Sequence, residues 1–468
     1  MHSPNTFSVH GQYPANSPKD QPATAAFFFL VIYIVIVFVR PQGFVPAILH
    51  WPLVPVTLIV SFLLWSISAN KILDAPQFVL LALLFLFAPF TVAVAGAGMS
   101  LALDSLVELV PLYLTFLLIA ATALSRKRMH IMMWLVTGGA VLMSVHGIQQ
   151  IHSGVGWTGE TAENGRIRYI DIFNDPNDVG LSLVVAIPLA TYLFRHYKPF
   201  MLKLFLLVCI GIILYGIKLT DSRGTVLALG VVLGIYFWHR FGMFKTLFIS
   251  ILVLPLLFLA NTRMDTISPG EESAYGRVDA WYEGIHMLLD NPITGVGSRM
   301  FIEHHPRTAH NSYILVLAEL GIPGYFLWFS YFGTCFMMMY LLQKKAKPKK
   351  IPAWEFLVED RLAGAAKPSS EIPPQESSQV DPQDQAIAGA LLLSFVGFTT
   401  AVFFLSRSYS MQLFILCGMA VAHFQGTRLR RPDIPAYRFL EHFWFWAFLS
   451  GGSVIALYLI VTILLNIV

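Results

Sequence analysis

The chain has 468 residues, of which 56% are hydrophobic and only 12% charged. Soluble domains carry about 25% charged residues, so a soluble globular protein is excluded. The formal net charge of +4 reflects basic loops facing anionic lipid and requires no nucleic-acid partner.

Residues 1–24 are polar and contain Pro and Ser. They read as a disordered cytoplasmic lead, since a cleavable signal would put a charged segment directly before its apolar run. Apolar runs able to cross a hydrocarbon core as helices then recur at 25–39, 45–68, 77–97, 106–124, 130–149, 179–194, 201–217, 224–239, 243–260, 311–341, 387–405, 411–424 and 440–466. These thirteen candidates predict an all-α, polytopic integral membrane protein of about 12–13 helices, with twelve to fourteen crossings acceptable. The 411–424 run is short, and 311–341 is long enough to bend or to extend beyond the bilayer. Residues 25–342 form the main membrane domain and 387–468 the C-terminal helices. Between them, residues 343–386 open with QKKAKPKK and continue rich in Pro, Ser and Gln, a composition that buries no core and predicts a disordered cytoplasmic loop.

With the N-terminus in the cytoplasm, 21 of the 31 Lys and Arg residues fall on inward loops, as the positive-inside rule requires. The ten on the other side are arginines except for Lys218. They run against the rule and so invite a functional explanation. Cys209, Cys335 and Cys417 all fall within predicted spans and read as small buried hydrophobes, with no disulfide framework implied.

Three outward segments are polar: 150–178, with GRIRYIDIFNDPNDVG; 218–224, KLTDSRG; and 261–311. In the third, AYGRVDAWYEGIHMLL has helical apolar spacing and NPITGVGS is a Pro/Gly turn. A loop of this length in a protein otherwise made of spans is where chemistry is expected.

Each segment carries arginine: Arg166 and Arg168, then Arg223, then Arg277, Arg299 and Arg307. Guanidinium groups bind phosphate bidentately and stay charged near lipid, so a convergent set suits a lipid-linked diphosphate. The same arginines can instead pair with Asp171, Asp175, Asp178, Asp221, Glu272 and Asp279 as surface ion pairs. Arg223 is the sharpest candidate, because Asp221-Ser222-Arg223-Gly224 sits at a helix mouth where an unpaired charge is costly. His310, in TAHNSY before a hydrophobic span, is the candidate base, since a neutral imidazole can take a proton from an acceptor hydroxyl. An interfacial or capping histidine is the plainer reading of that position. His304 and His305 beside Glu303 invite a metal reading, but consecutive residues rarely share one site well. Asp171, Asp175 and Asp178 raise the same question; NDPND reads better as a turn opening a helix, with Asp175 before Pro176 and Asn177 or Asp178 as the cap.

Taken in order, SRG after a span, GR-x₃-W (Gly276, Arg277, Trp281), NPITGVG (Asn291 to Gly297) and HNSYILVLAELGIPG (His310 to Gly324) resemble the O-antigen ligase and polymerase superfamily. FNDPN after Arg168 is similar to an earlier outward motif of that family, and the resemblance covers roughly 165–325. It implies a GT-C-like helical fold with a large periplasmic loop, in a bacterial inner membrane. It also implies a glycosyltransferase drawing a glycan from an undecaprenyl-diphosphate carrier without cofactor or metal. The acceptor would be lipid A-core, a protein or a growing glycan; membrane lipids are the other partners. On this resemblance His310 is the base and Arg223 and Arg277 hold the diphosphate, assisted by Arg168. Asp221, Trp281 and Asn311 support them, and attack opposite the leaving diphosphate inverts the anomeric centre. Ligase and polymerase share donor and attack geometry and remain open alternatives. A transporter or flippase for an anionic or lipid-linked substrate is the runner-up, disfavoured because the spans show no midplane charge. A non-catalytic scaffold of an export complex leaves the Arg–His array unexplained.

Overall fold

The computed structural model describes residues 23–69, 71–249, 251, 272–343 and 380–467. The helices in chain order are α1 (Thr24–Val39), α2 (Leu53–Ser66), α3 (Pro76–Val94), α4 (Met99–Thr122), α5 (Arg126–Ser153), α6 (Pro176–His196) and α7 (Phe200–Thr220). They continue as α8 (Arg223–Phe241), α9 (Glu272–Asp290), α10 (Ser312–Gln343), α11 (Pro382–Val402), α12 (Met411–Arg430) and α13 (Phe443–Ile467). Among the described residues nine helices are long and apolar enough to cross a membrane, and α1 and α2 are shorter apolar helices. The protein is an all-α polytopic membrane protein. In hydrocarbon only structures that satisfy their own backbone groups can cross, which is why most of the apolar runs among the described residues are helical.

Several boundaries differ from expectation for local reasons. The short run at 411–424 continues as α12 to Arg430, where its last turn turns polar. The span expected from 106 starts at Met99, so the first turns of α4 carry Asp104 and Glu108. The segment expected at 218–224 is almost wholly helical, with Asp221 and Ser222 alone between α7 and α8. Most of the expected span 243–260, and nearly all of the segments 1–24 and 343–386, lie outside the described residues.

Helix α6 sits at the centre, packed against α5, α7, α8 and α11. By contrast α7 turns Phe200, Met201, Leu204, Phe205, Leu207 and Val208 outward, an apolar strip that lipid would solvate. One end of the bundle is tied by ions. The buried Asp384 carboxylate accepts from Arg126 at 2.7 and 2.8 Å and from Arg430 at 2.8 Å, joining α5, α11 and α12. At the opposite end lie the loops 40–52, 154–175, 291–311 and 403–410. There Ile167 N–H and the Arg166 guanidinium donate to the last carbonyls of α7, at Leu219 (3.1 Å) and Thr220 (2.9 Å).

The arrangement of that end turns on a break in α10. Gly321 is non-helical (φ 62°) and Pro323 lacks an N–H, so carbonyls before the break lose their intrahelical donors. The loop after α9 supplies replacements. Val296 N–H donates to Ala318 O (2.9 Å) and Gly297 N–H to Glu319 O (3.1 Å), while Ile322 N–H returns to Pro292 O (2.9 Å). The NPITGVG and ELGIPG motifs are two halves of one joint. Gly295 permits it, for a Cβ there would lie 2.4 Å from the Glu319 carbonyl carbon and its φ is +63°. Gly295→Ala is therefore expected to cost about 2 kcal/mol or more. The check is a lowered thermal midpoint and reduced yield in detergent; wild-type melting would overturn this account of the joint.

Candidate functional site

His310 occupies the turn between the helical turn Phe301–His304 and α10, with a left-handed backbone (φ 47°) and a half-buried ring. Its neighbours in sequence fix the turn. The Trp281 indole N–H donates to Ala309 O at 2.7 Å, pinning the preceding residue from α9. Asn311 follows, buried, and its Oδ1 accepts from Tyr313 N (2.9 Å) and Ile314 N (3.2 Å), capping α10. Ring contact between Trp281 and Phe403, centroids 5.7 Å apart, ties the same tryptophan to the loop after α11. The histidine is thus held from both sides while its own ring makes no hydrogen bond among the described residues.

The charges around it are mostly cationic. Burial first, and then the guanidinium groups of Arg277, Arg407 and Arg307, hold the imidazole below the usual histidine range, with Asp175 acting in the opposite direction. Gly276 makes room for this crowding: a Cβ there would lie 2.2 Å from Arg307 Nη1. Arg407 is the contributor that sequence reasoning missed. Its guanidinium grips the buried Asp178 carboxylate at the start of α6 bidentately, Nη2 to Oδ2 at 2.5 Å. Its backbone N–H donates to Ser312 Oγ (2.8 Å), and Ser312 Oγ donates to Leu405 O (2.6 Å). One signal for it lay in the sequence, since it is another arginine on an outward loop.

Residues 205–329 match the model of the O-antigen ligase family. The matched segment is about a quarter of the chain, and in it the chain is similar to that family. The match spans α7 to α10 and so contains the α10 joint, Trp281 and His310. No curated protein matches the chain at a significant level. The match supports a membrane enzyme of the O-antigen ligase or polymerase type.

Within this family site the remaining expected residues divide. Arg277 is brought to His310, whereas Arg223 and Arg168 are not among the charges acting on the ring. Arg223 is the first residue of α8, half-exposed, and the adjacent Gly224 packs against Phe404, which puts the α8 N-terminus beside the loop that carries Arg407. Asp221 is left-handed (φ 43°) and ends α7, its N–H donating to Lys218 O at 3.1 Å. Arg168 bonds across its own loop to Thr161 O (2.6 Å). The cap of α6 is Asp175, which accepts from Asn177 N at 2.7 Å, rather than Asn177 or Asp178; placing Pro176 first in the helix leaves the cap to the residue before it. Asp171 pairs instead with Arg40. His305 is bonded at both nitrogens, to Arg307 O (2.8 Å) and Asp279 Oδ2 (3.2 Å).

Beside the His310 turn opens a cavity of about 940 Å³, walled by α4, the Phe301–His304 turn, α10 and loop 403–410, with Thr308 and Arg407 on its lining. Glu319, buried within α10, also lines it, facing the backbone N–H groups of Arg299 and Phe301. That side chain is an acidic group within a span, about two turns from its outward end rather than at its middle. Because Arg407→Ala strands the buried Asp178 carboxylate, it is expected to cost about 3 kcal/mol, read as a drop in thermal midpoint. Asp178→Asn added to it should restore much of the loss, and no restoration would show that the pair is not the source.

Proposed function

We propose that this protein transfers a glycan from an undecaprenyl-diphosphate carrier to an acceptor hydroxyl at the periplasmic face of a bacterial inner membrane. What supports the reading is the placement of His310, on a turn fixed by Trp281 and Asn311, with an imidazole that burial and the charges of Arg277, Arg407 and Arg307 hold below the usual histidine range. His310 takes the proton of the acceptor hydroxyl as that oxygen attacks the anomeric carbon. The new C–O bond forms as the bond to the diphosphate breaks on the opposite face, inverting the centre. Charge accumulates on the leaving diphosphate, and fixed cations at that position supply the stabilisation the step most needs. Arg223, at the positive end of α8, and Arg277 are assigned to hold it, a helix N-terminus and guanidinium together favouring a phosphate group. Arg168 acts indirectly in this scheme, by shaping loop 150–178.

The arginines serve the base as well as the leaving group. By depressing the imidazole's proton affinity they keep it neutral over a wider pH range, while making it a somewhat weaker base. Activity then persists above the depressed pKa and falls as the pH drops through it.

In membranes supplied with lipid-linked glycan, His310→Ala and Arg223→Ala are expected to lose transfer by at least a hundredfold, while the protein still inserts and accumulates. Normal surface glycan in both mutants would sink the mechanism. Arg277→Gln removes a charge that lowers the His310 pKa, so the acid limb of its residual rate profile should move to higher pH. An unmoved limb would mean that another group titrates.

A further inference from the structure

The cavity beside His310 carries features that the transfer step leaves unused. Ser105 on α4 and Ser298 after α9 are each 3% exposed, line the cavity, and hold hydroxyls with no hydrogen-bond partner among the described residues. The Tyr409 hydroxyl, on the loop opposite, is in the same condition. Buried hydroxyls left without partners are costly, so the wall on both sides of the cavity is not optimised for stability alone. The charged groups on the lining are biased: Asp104, Glu108, Glu303 and Glu319 against Arg299 and Arg407. Arg299 is taken by Glu108 and Arg407 by Asp178. The carboxylates left over, Asp104 and Glu303 at exposed positions, stand on a wall otherwise lined by apolar side chains such as Leu101, Val107 and Leu315. At about 940 Å³ the space lies near the top of the roughly 300–1,000 Å³ range of small-molecule sites, enough for several sugar rings.

We propose that this cavity is the acceptor subsite and that it takes an uncharged, polyhydroxylated glycan in preference to a phosphorylated one. Carboxylates pair with sugar hydroxyls and the apolar wall suits the C–H faces of sugar rings, whereas a phosphorylated sugar would meet Asp104 and Glu303 as like charges. The proposal rests on the transfer reading above, and gives it a direction: of the two family activities it favours extending a neutral glycan over capping a phosphorylated core.

The test uses the full-length protein in lipid nanodiscs and saturation-transfer NMR with two probes prepared from the host. One is the repeat-unit oligosaccharide, freed of its carrier and carboxyl-reduced so that it bears no charge. The other is the phosphorylated core oligosaccharide of its lipopolysaccharide. Wild type is expected to bind the first at least tenfold more tightly. Ser105→Phe, which fills the cavity, should weaken that binding at least tenfold. Should that variant fail to fold, Asp104→Lys with Glu303→Lys, both at exposed positions, decides the matter by narrowing or reversing the preference. Equal affinities in wild type, a preference for the core, or a lysine variant with unchanged selectivity would overturn the proposal. His310→Ala, measured alongside, separates the two claims. Binding without transfer upholds both, and normal transfer by that variant removes the base assignment while the binding data still judge the cavity.

Discussion

A proline in a membrane helix leaves carbonyls that water cannot reach, and this protein's outward end is organised around answering them. Pro323 and Gly321 open α10, and the loop 291–297 closes the opening with its own N–H groups. Docking that loop fixes the end of α9, which lays α9 along α10. From there the Trp281 indole reaches Ala309, and the position of His310 follows. A backbone requirement at one point thus determines a side-chain position more than ten residues away.

Electrostatics then divides the work among the arginines. Arg407 is committed to Asp178, a bidentate pair that closes the loop 403–410 onto α6, yet its charge is still felt at His310. Arg277 and Arg307 act on the ring through space, and Arg166 is spent on the α7 terminus and Asn177. An outward arginine here is as often a fastener as a ligand. Only its partners distinguish the two.

Much of this was legible in the chain. Apolar run length placed most helices, because lipid leaves the backbone few alternatives. The helical apolar spacing of AYGRVDAWYEGIHMLL pointed to α9, and the apolar run after His310 is the helix α10. What stayed hidden depended on contacts distant in sequence. Arg407 meets Asp178 across 229 positions, and nothing near either residue marks the pairing. The cavity is assembled from α4, α10 and a loop beyond α11, so no window of sequence contains it. Arg168 looked like Arg277 in composition and differs in where its loop turns it, toward Thr161.

The two ends of the bundle distribute their ion pairs differently. At the basic end Asp384 is clasped by guanidinium groups from two other helices, an arrangement that resists separation because parting would leave a bare charge in a poorly hydrated setting. The opposite mouth is fastened at several separate points, by the ion pairs Arg407 to Asp178 and Arg299 to Glu108 and by neutral hydrogen bonds such as Thr308 to Ser406. Losing Asp384 would therefore loosen three helices at once, whereas losing any one fastening at the mouth leaves the others in place.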